Sequence, residues 1–314
     1  MGRCAWLTGV GLRLEALGIF GAGHREKIAK LGGIKNIVGG NHNIGAAVAV
    51  TYGYGVDSVA VDISSNRPVR FQYRQAVCTF DVTVEIPAPP IPKLQVTKFL
   101  AFGDSLTAGE NGINGVLFID YGYEYPTILQ SLLNARYTTQ TSAVINRGAP
   151  GESAYEGSLR LPRELDASRP DALLLLEGVN DFYGLAVLSR DGPPVIADVR
   201  RYLLWDIQQA KQRNIKVFLS TLTPQIFGRS RAWMVNGDLN LLIPMNDAIR
   251  SLARDEGVFL VDAFRDLSAN PSLYLSDDGL HLSREGRDGL ARSFLSAIQQ
   301  QLEVPQGRLR QSGR

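Results

Sequence analysis

A serine that follows an apolar run is the first candidate for chemistry in this chain. Ser105 lies in the segment KFLAFGDSLTAGENG, residues 98–112. A serine hydroxyl is a weak nucleophile until an imidazole accepts its proton, and a carboxylate orients that imidazole and stabilises its charged form. The segment DGLH supplies both groups, because Asp278 and His281 are three positions apart. These residues predict a nucleophile, a general base and an orienting acid for acyl transfer.

Acyl transfer also needs hydrogen-bond donors for the negative charge that develops on the substrate carbonyl oxygen. We expect these donors to be the backbone amides of Ser105 and Gly151 and the side-chain amide of Asn180 in the segment GVND. A glycine allows the backbone to approach a substrate closely, because it has no Cβ. The segment NRGAPGES contains Gly148 as well as Gly151, so either glycine can be the donor at this point.

The chain has three histidines, which limits the choice of base. His24 and His42 lie in a glycine-rich region near the start, and His281 alone follows the other candidate residues. If Ser105 has an imidazole base in its own domain, that base is His281. The neighbouring acid, Asp104, is expected to hydrogen-bond the backbone of its own turn and to steady the serine loop.

Strand and helix patterns alternate in the part of the chain that carries these residues. Apolar runs of strand length are separated by segments with apolar residues at helical spacing, and this alternation predicts a parallel sheet with helices on both faces. Parallel strands deliver their carboxyl ends to one edge, where ligands bind. The predicted strands are 98–102, 143–146, 171–178, 215–221 and 257–262, and the predicted helices are 122–136, 155–168, 196–213, 240–256 and 284–302.

The sequence further predicts a division of the chain at a proline-rich segment, IPAPPIPKLQ. Such a composition interrupts regular elements and favours an extended connection. Upstream of it, alternating residues rich in Val, Tyr, Phe and Thr are typical of strands. The predicted parts are an uncertain leader (1–45), a β-rich module (46–86), a linker (87–96), a catalytic domain (97–302) and a C-terminal tail (303–314).

Composition excludes several classes of protein. The 314 residues carry a formal net charge of +2, with no basic stripe of the kind that binds nucleic acids. No run of about 18 uninterrupted apolar residues predicts a membrane-spanning helix. The two cysteines, Cys4 and Cys78, have no CxxC spacing that would predict a zinc site, and whether they form a disulfide stays open. We expect neither a metal nor an organic cofactor.

The first twenty residues make a poor export signal, because Arg3, Arg13 and Glu15 interrupt what would be its apolar core. This pattern predicts a cytoplasmic protein, or a secreted or periplasmic one if the natural start lies elsewhere. The sequence leaves the oligomeric state open.

The four segments described above resemble the blocks of the SGNH hydrolases, also called GDSL esterases and lipases, in the family's order. The resemblance covers roughly residues 97–302 and implies a flavodoxin-like fold with five parallel strands. It implies Ser105 as the nucleophile, His281 as the base and Asp278 as its orienting acid. Asn180 and Gly151 would belong to the oxyanion hole, with Gly151 aligned because an acidic residue follows it.

This resemblance implies a serine-dependent carboxylic ester hydrolase that acts through an acyl-enzyme, on short-chain acyl or acetyl esters. A carbohydrate acetylesterase and a lysophospholipase or thioesterase of the same family are the alternatives. A binding or adhesion protein that uses the α/β domain as a scaffold is a non-enzymatic alternative. The presence of all five candidate residues argues against it, because a scaffold has no physical need for them.

Overall fold

The computed structural model describes residues 91–183, 191–229, 231 and 241–304, together with the backbone of short strands between residues 8 and 82. The chain divides into two compact units, one of residues 1–90 with 307–314 and one of residues 91–306. The cysteines, His24 and His42 lie outside the described residues. The predicted part boundaries and the predicted leader therefore remain predictions.

Short antiparallel strands are the described backbone of the first unit. Gly45–Tyr52 and Gly55–Asp62 form its longest pair, joined by a two-residue connection. The other strands are Thr8–Gly9, Leu12–Arg13, Ala16–Leu17, Lys30–Gly32, Val69–Phe71 and Phe80–Val82.

The second unit is an α/β fold around a five-stranded sheet. Its strands are β1 (Lys98–Gly103), β4 (Ala143–Gly148), β5 (Ala172–Leu176), β6 (Lys216–Ser220) and β7 (Phe259–Val261). They lie in the order β4-β1-β5-β6-β7, and every neighbouring pair is parallel. The predicted doubly wound, five-stranded parallel sheet is confirmed.

Helices with apolar faces cover this sheet. The larger ones are α2 (Tyr125–Arg136), α3 (Ala154–Ser168), α4 (Gly192–Gln212), α5 (Leu242–Glu256) and α8 (Arg284–Leu302). Shorter helices are α1 (Ser105–Ala108), α6 (Ala263–Leu267) and α7 (Pro271–Tyr274), and Asn180–Phe182 forms one 3₁₀ turn. The five residues of β5 are completely buried, as expected for a central strand covered on both faces. Among the described residues, no helix is long and apolar enough to cross a membrane.

A β-hairpin outside the main sheet was absent from the sequence-based prediction. Its strands, β2 (Glu110–Ile113) and β3 (Val116–Ile119), pair antiparallel around a two-residue turn. Both turn residues, Asn114 and Gly115, have positive φ, as the tight turns of two-residue hairpins require. The hairpin follows α1 directly, and it therefore begins next to Ser105.

The sheet register brings the ends of three strands together. Gly148 at the end of β4 and Leu176 at the end of β5 both pair with Gly103 at the end of β1. The segments after these strands therefore leave the sheet at the same edge, on adjacent strands. This edge holds Ser105, Gly151 and Asn180.

Candidate active site

Ser105 is the first residue of α1 and is 2% exposed. The backbone before it packs closely against the neighbouring strand, since a Cβ on Gly103 would lie 1.9 Å from the carbonyl oxygen of Leu176. Asp104 caps the helix, and its Oδ1 accepts a hydrogen bond of 2.9 Å from the amide of Leu106. The expected role of Asp104 in its own turn is confirmed, and this cap fixes the serine at the sheet edge.

Ser105, His281 and Asp278 form a continuous hydrogen-bonded chain. The Ser105 Oγ lies 3.0 Å from Nε2 of His281, and Nδ1 of His281 lies 2.6 Å from Oδ2 of Asp278. The other oxygen of Asp278 accepts from the amides of Leu280 and His281, each at 3.0 Å. The side chains of these three residues are buried. This geometry allows the imidazole to take a proton from the serine while Asp278 holds its ring orientation.

A second carboxylate, which the sequence did not predict, lies at this imidazole. Oε2 of Glu110, at the start of β2, lies 3.3 Å from Nε2 of His281, the same nitrogen that faces Ser105. Burial by itself lowers the pKa of His281, but the hydrogen bonds and negative charges of Asp278 and Glu110 outweigh burial and raise that pKa to about 9. For Asp278, burial acts to raise the pKa, but the hydrogen bonds from His281 and Leu280 keep it below its ordinary value.

The two glycines of NRGAPGES lie in different surroundings. A Cβ on Gly148 would lie 2.0 Å from the amide nitrogen of Ala108, and the amide of Gly148 already donates to Oδ1 of Asn146 at 2.9 Å. Gly151 has a φ of 78° and no atom within 4 Å of an ideal Cβ. Among the described residues, its amide has no acceptor. Gly148 therefore serves close packing against α1, and Gly151 has a backbone amide available for a ligand.

Asn180 lies beside the same loop. Its Nδ2 donates a hydrogen bond of 2.8 Å to the carbonyl oxygen of Glu152, which leaves the second amide proton for another acceptor. The next residue, Asp181, accepts from the amide of Ala154 at the start of α3. The amide of Ser105 has no acceptor within the part of the chain that the structure describes. All three predicted oxyanion donors thus lie at the sheet edge that also holds Ser105.

Three acids of this unit, Asp104, Glu177 and Asp206, are buried. Burial raises the pKa of Asp104 to about 7, opposed by its hydrogen bond from Leu106 and by the charge of His281. Burial also raises the pKa of Glu177 and of Asp206 well above the ordinary range. Neither of these two carboxyl groups has a hydrogen-bond partner in the described structure. Burial thus favours the neutral form of all three carboxyl groups.

The described residues contain no group of three or more His, Cys, Asp or Glu side chains that is arranged to hold a metal ion.

A segment that makes up more than half of the chain matches a known protein family. Residues 101–288 match the model of the GDSL-like Lipase/Acylhydrolase family, and this range includes every candidate residue. The arylesterase of Vibrio mimicus is 26% identical over 194 residues, which are 62% of this chain and 84% of that protein. Thioesterase 1/protease 1/lysophospholipase L1 of Escherichia coli K12 is 25% identical over 200 residues, 64% of this chain and 82% of that protein.

The chain is also similar to a protein that it matches over about half of that protein's length and to a solved structure that it matches almost completely. The uncharacterized lipoprotein YqeF of Bacillus subtilis is 28% identical over 136 residues, and the match spans 51% of that protein's length. The crystal structure of the acetyl xylan esterase AlAXEase superposes with a TM-score of 0.51 at 26% identity. That superposition covers 64% of this chain and 99% of the esterase.

Proposed function

This chain belongs to the GDSL-like lipase/acylhydrolase family, and we propose that it hydrolyses carboxylic esters with Ser105 as the nucleophile and an acyl-enzyme as the intermediate. The observation that carries this proposal is the hydrogen-bonded chain from Ser105 through His281 to Asp278, with distances of 3.0 and 2.6 Å. A buried serine, imidazole and carboxylate in this order are the groups that serine acyl transfer requires.

In the first half of the reaction, the Ser105 Oγ attacks the carbonyl carbon of the ester while Nε2 of His281 accepts the serine proton. The tetrahedral intermediate collapses when the ester C–O bond breaks, and the alcohol leaves with the proton from His281. In the second half, His281 takes a proton from water as the water oxygen attacks the acyl carbon. The acid product leaves, and the proton returns to the Oγ of Ser105.

Asp278 and the oxyanion donors act on the charges that this reaction creates. The Asp278 carboxylate orients His281 through Nδ1 and stabilises the imidazolium that forms in each transition state. The amides of Ser105 and Gly151 and Nδ2 of Asn180 donate to the substrate oxygen as it becomes negative. Gly151 is the oxyanion glycine in this proposal, because the Gly148 amide is already bonded to Asn146.

Short-chain acyl or acetyl esters are the proposed substrates. The similarity to the acetyl xylan esterase AlAXEase favours an acetylated carbohydrate as a second candidate within the same chemistry. The similarity to the E. coli thioesterase and lysophospholipase favours a third, an acyl thioester or a lysophospholipid. All three use the same nucleophile and base, and they differ in the acyl and leaving groups that the surface beside Ser105 accepts.

Hydrolysis of a p-nitrophenyl ester series from acetate to palmitate tests the proposal. We expect activity in the unaltered protein, greatest on the short acyl chains, and its loss in Ser105→Ala with the helical circular dichroism unchanged. Ser131→Ala, on the exposed side of α2, is the matched control and should retain full activity. Mass spectrometry after rapid acid quenching should find the acyl group on the peptide that contains Ser105. Unchanged hydrolysis by folded Ser105→Ala, or an unreactive natural protein, would contradict the proposal and favour the scaffold alternative.

A further inference from the structure

Nε2 of His281 faces two oxygen atoms, and the proposed reaction uses only one of them. Ser105 Oγ lies 3.0 Å from this nitrogen, and Oε2 of Glu110 lies 3.3 Å from it. The imidazole is 3% exposed and the Glu110 side chain 15% exposed, so water screens their interaction only weakly. A protonated His281 is thus held between two carboxylates, Asp278 on Nδ1 and Glu110 on Nε2.

The strand that carries Glu110 is held in place through Gly109, the residue before it. Arg287 of α8 is fully buried, and its Nη1 donates a hydrogen bond of 3.0 Å to the carbonyl oxygen of Gly109. Its Nη2 donates to Oδ2 of Asp120 at 3.1 Å, and the Asp120 amide in turn donates to the carbonyl of Gly109 at 3.2 Å. The two ends of the hairpin are therefore tied to α8 by one buried guanidinium group.

The residues after Glu110 fit the same hairpin against the His281 segment. Oδ1 of Asn111 accepts a hydrogen bond from the hydroxyl of Ser276, and both side chains are buried. Gly112 lies so close to Asp278 that a Cβ there would be 1.8 Å from its Oδ2. This close approach requires a glycine, and it places the strand directly on the carboxylate that orients the imidazole.

Other charged residues near His281 make different contacts. The charge of His281 opposes the rise that burial causes in the pKa of Asp104, which lies before α1, but Oδ1 of Asp104 accepts a hydrogen bond from the amide of Leu106. In the loop after β6, the backbone amide of Arg231 donates to the carbonyl of Asp278, and the Arg229 side chain lies against Gly279. Glu110 is thus the charged group that approaches Nε2 among the described residues.

We propose that Glu110 is a second positioning carboxylate for His281, which competes with Ser105 for the Nε2 proton and so sets the pH at which the base becomes available. The inference rests on the proposed function for its catalytic consequence, since only a neutral imidazole can accept the serine proton. Glu110 has two opposing effects. It stabilises the protonated resting imidazole, which reduces the active fraction at neutral pH, and it stabilises the imidazolium of the transition state, which strengthens the base once neutral.

The first test measures His281 directly by NMR, independently of any substrate. The chain has three histidines, so its imidazole signals are few, and the signal missing in His281→Ala identifies His281. In the unaltered protein we expect the His281 signals to titrate well above the ordinary histidine pKa. In Glu110→Gln, which retains a hydrogen-bonding oxygen but loses the charge, the midpoint should fall by roughly 1 to 3 pH units. Asp277→Asn, an exposed acid next to Asp278, is the control and should move it much less.

The second test is the pH profile of kcat/KM for p-nitrophenyl acetate. The acidic limb of Glu110→Gln should shift to lower pH by the same amount as the NMR midpoint, while its plateau at high pH should be lower. The two profiles should therefore cross, with the variant faster near neutral pH and slower at alkaline pH. A residue with a merely structural role would lower the profile at every pH without moving the limb. Glu110→Ala, which removes both charge and hydrogen bond, should shift the limb in the same direction.

Three outcomes would overturn the inference. They are an NMR midpoint for His281 that is unchanged in both folded variants, a uniform loss of activity with an unmoved limb, and a shift in the NMR midpoint that the pH profile does not follow. If the unaltered protein hydrolyses no ester while Glu110→Gln still lowers the His281 midpoint, the proposed function fails and the positioning of His281 by Glu110 stands. The same variants therefore distinguish a failure of the proposed hydrolysis from a failure of the proposed role of Glu110.

Discussion

Asp104 provides a test of the electrostatics of the serine turn that depends on stability alone. This carboxyl group is fully buried, and its Oδ2 has no hydrogen-bond partner among the described residues. Burial raises its pKa from 3.8 to about 7, and the nearby charges of Asp181 and Glu152 act in the same direction. The folded protein therefore binds the Asp104 proton more tightly than the unfolded chain does.

The sign and size of the effect follow from this difference. A group whose pKa is higher in the folded state makes the protein less stable as pH rises between the two values. Each pH unit corresponds to about 1.4 kcal/mol, so a rise from 3.8 to about 7 costs about 4 kcal/mol between pH 4 and pH 8. Asp104→Asn keeps an oxygen that can accept from Leu106 and removes the titration. Relative to the unaltered protein, it should gain about that much stability over this pH range.

Urea unfolding followed by circular dichroism at a series of pH values between 4 and 8 measures this gain. The quantity of interest is the change with pH of the difference in unfolding free energy between Asp104→Asn and the unaltered protein. Any constant cost of burying the amide cancels in that change. Glu285→Gln removes an exposed carboxylate on α8 and is the control for the loss of a surface charge.

A difference that is constant from pH 4 to pH 8 would refute the reasoning. It would mean that Asp104 is ionised in the folded state at the same pH as in the unfolded chain. A difference that falls with pH would show that the carboxylate is stabilised in its charged form by groups that we have not assigned to it.

Three further predictions address the oxyanion donors and the limits of the folded unit. Asn180→Ala should lower kcat by roughly 100- to 1,000-fold and change KM much less, because the amide acts on charge that develops in the transition state; a loss in KM alone would assign Asn180 to substrate binding. Gly148→Ala should lower the melting temperature as well as activity, because its Cβ would meet the backbone of Ala108, whereas Gly151→Ala should lower the melting temperature less, because its Cβ would meet no atom within 4 Å and only its φ of 78° strains an alanine; equal losses of melting temperature in both would contradict the assignment. A chain of residues 91–306 should fold and hydrolyse p-nitrophenyl acetate, and a chain beginning at residue 97 should be less stable because it lacks the buried Leu94, as thermal unfolding of the two would show.

The sequence predicts most of the sheet and its helices because their signals are strong and local. The aliphatic run of β5 is long enough to identify a buried strand, and α8 begins where predicted because Ser283 caps it. The predicted start of α4 at residue 196 is wrong, because the helix begins at Gly192. Two prolines follow Gly192, and prolines are compatible with the first turn of a helix, where the amide has no intrahelical partner.

The site was predictable in its residue types but not in its charge balance. The segments after the strands predicted that Ser105 and Asn180 lie at one edge, because parallel strands end there. His281 was a candidate because no other histidine follows the linker in the sequence. Glu110 could not be predicted, since its four-residue strand has no apolar alternation and its partner lies 171 positions later in the chain. The Asn114–Gly115 pair is typical of a two-residue hairpin turn and could have predicted the hairpin from the sequence. It marks the turn, but it does not say which side chain of the hairpin reaches the imidazole.

The two ends of the folded unit meet. Leu94 pairs with Glu303 in an antiparallel bridge, the Gln95 amide donates to the carbonyl of Leu302, and the Val304 amide donates to the carbonyl of Lys93 at 2.8 Å. A chain that enters and leaves at one point can be inserted whole into a surface loop of a host protein without forcing that loop apart. For the same reason, a short linker can join residue 304 to residue 93, so that circularly permuted forms with new ends elsewhere on the surface become accessible.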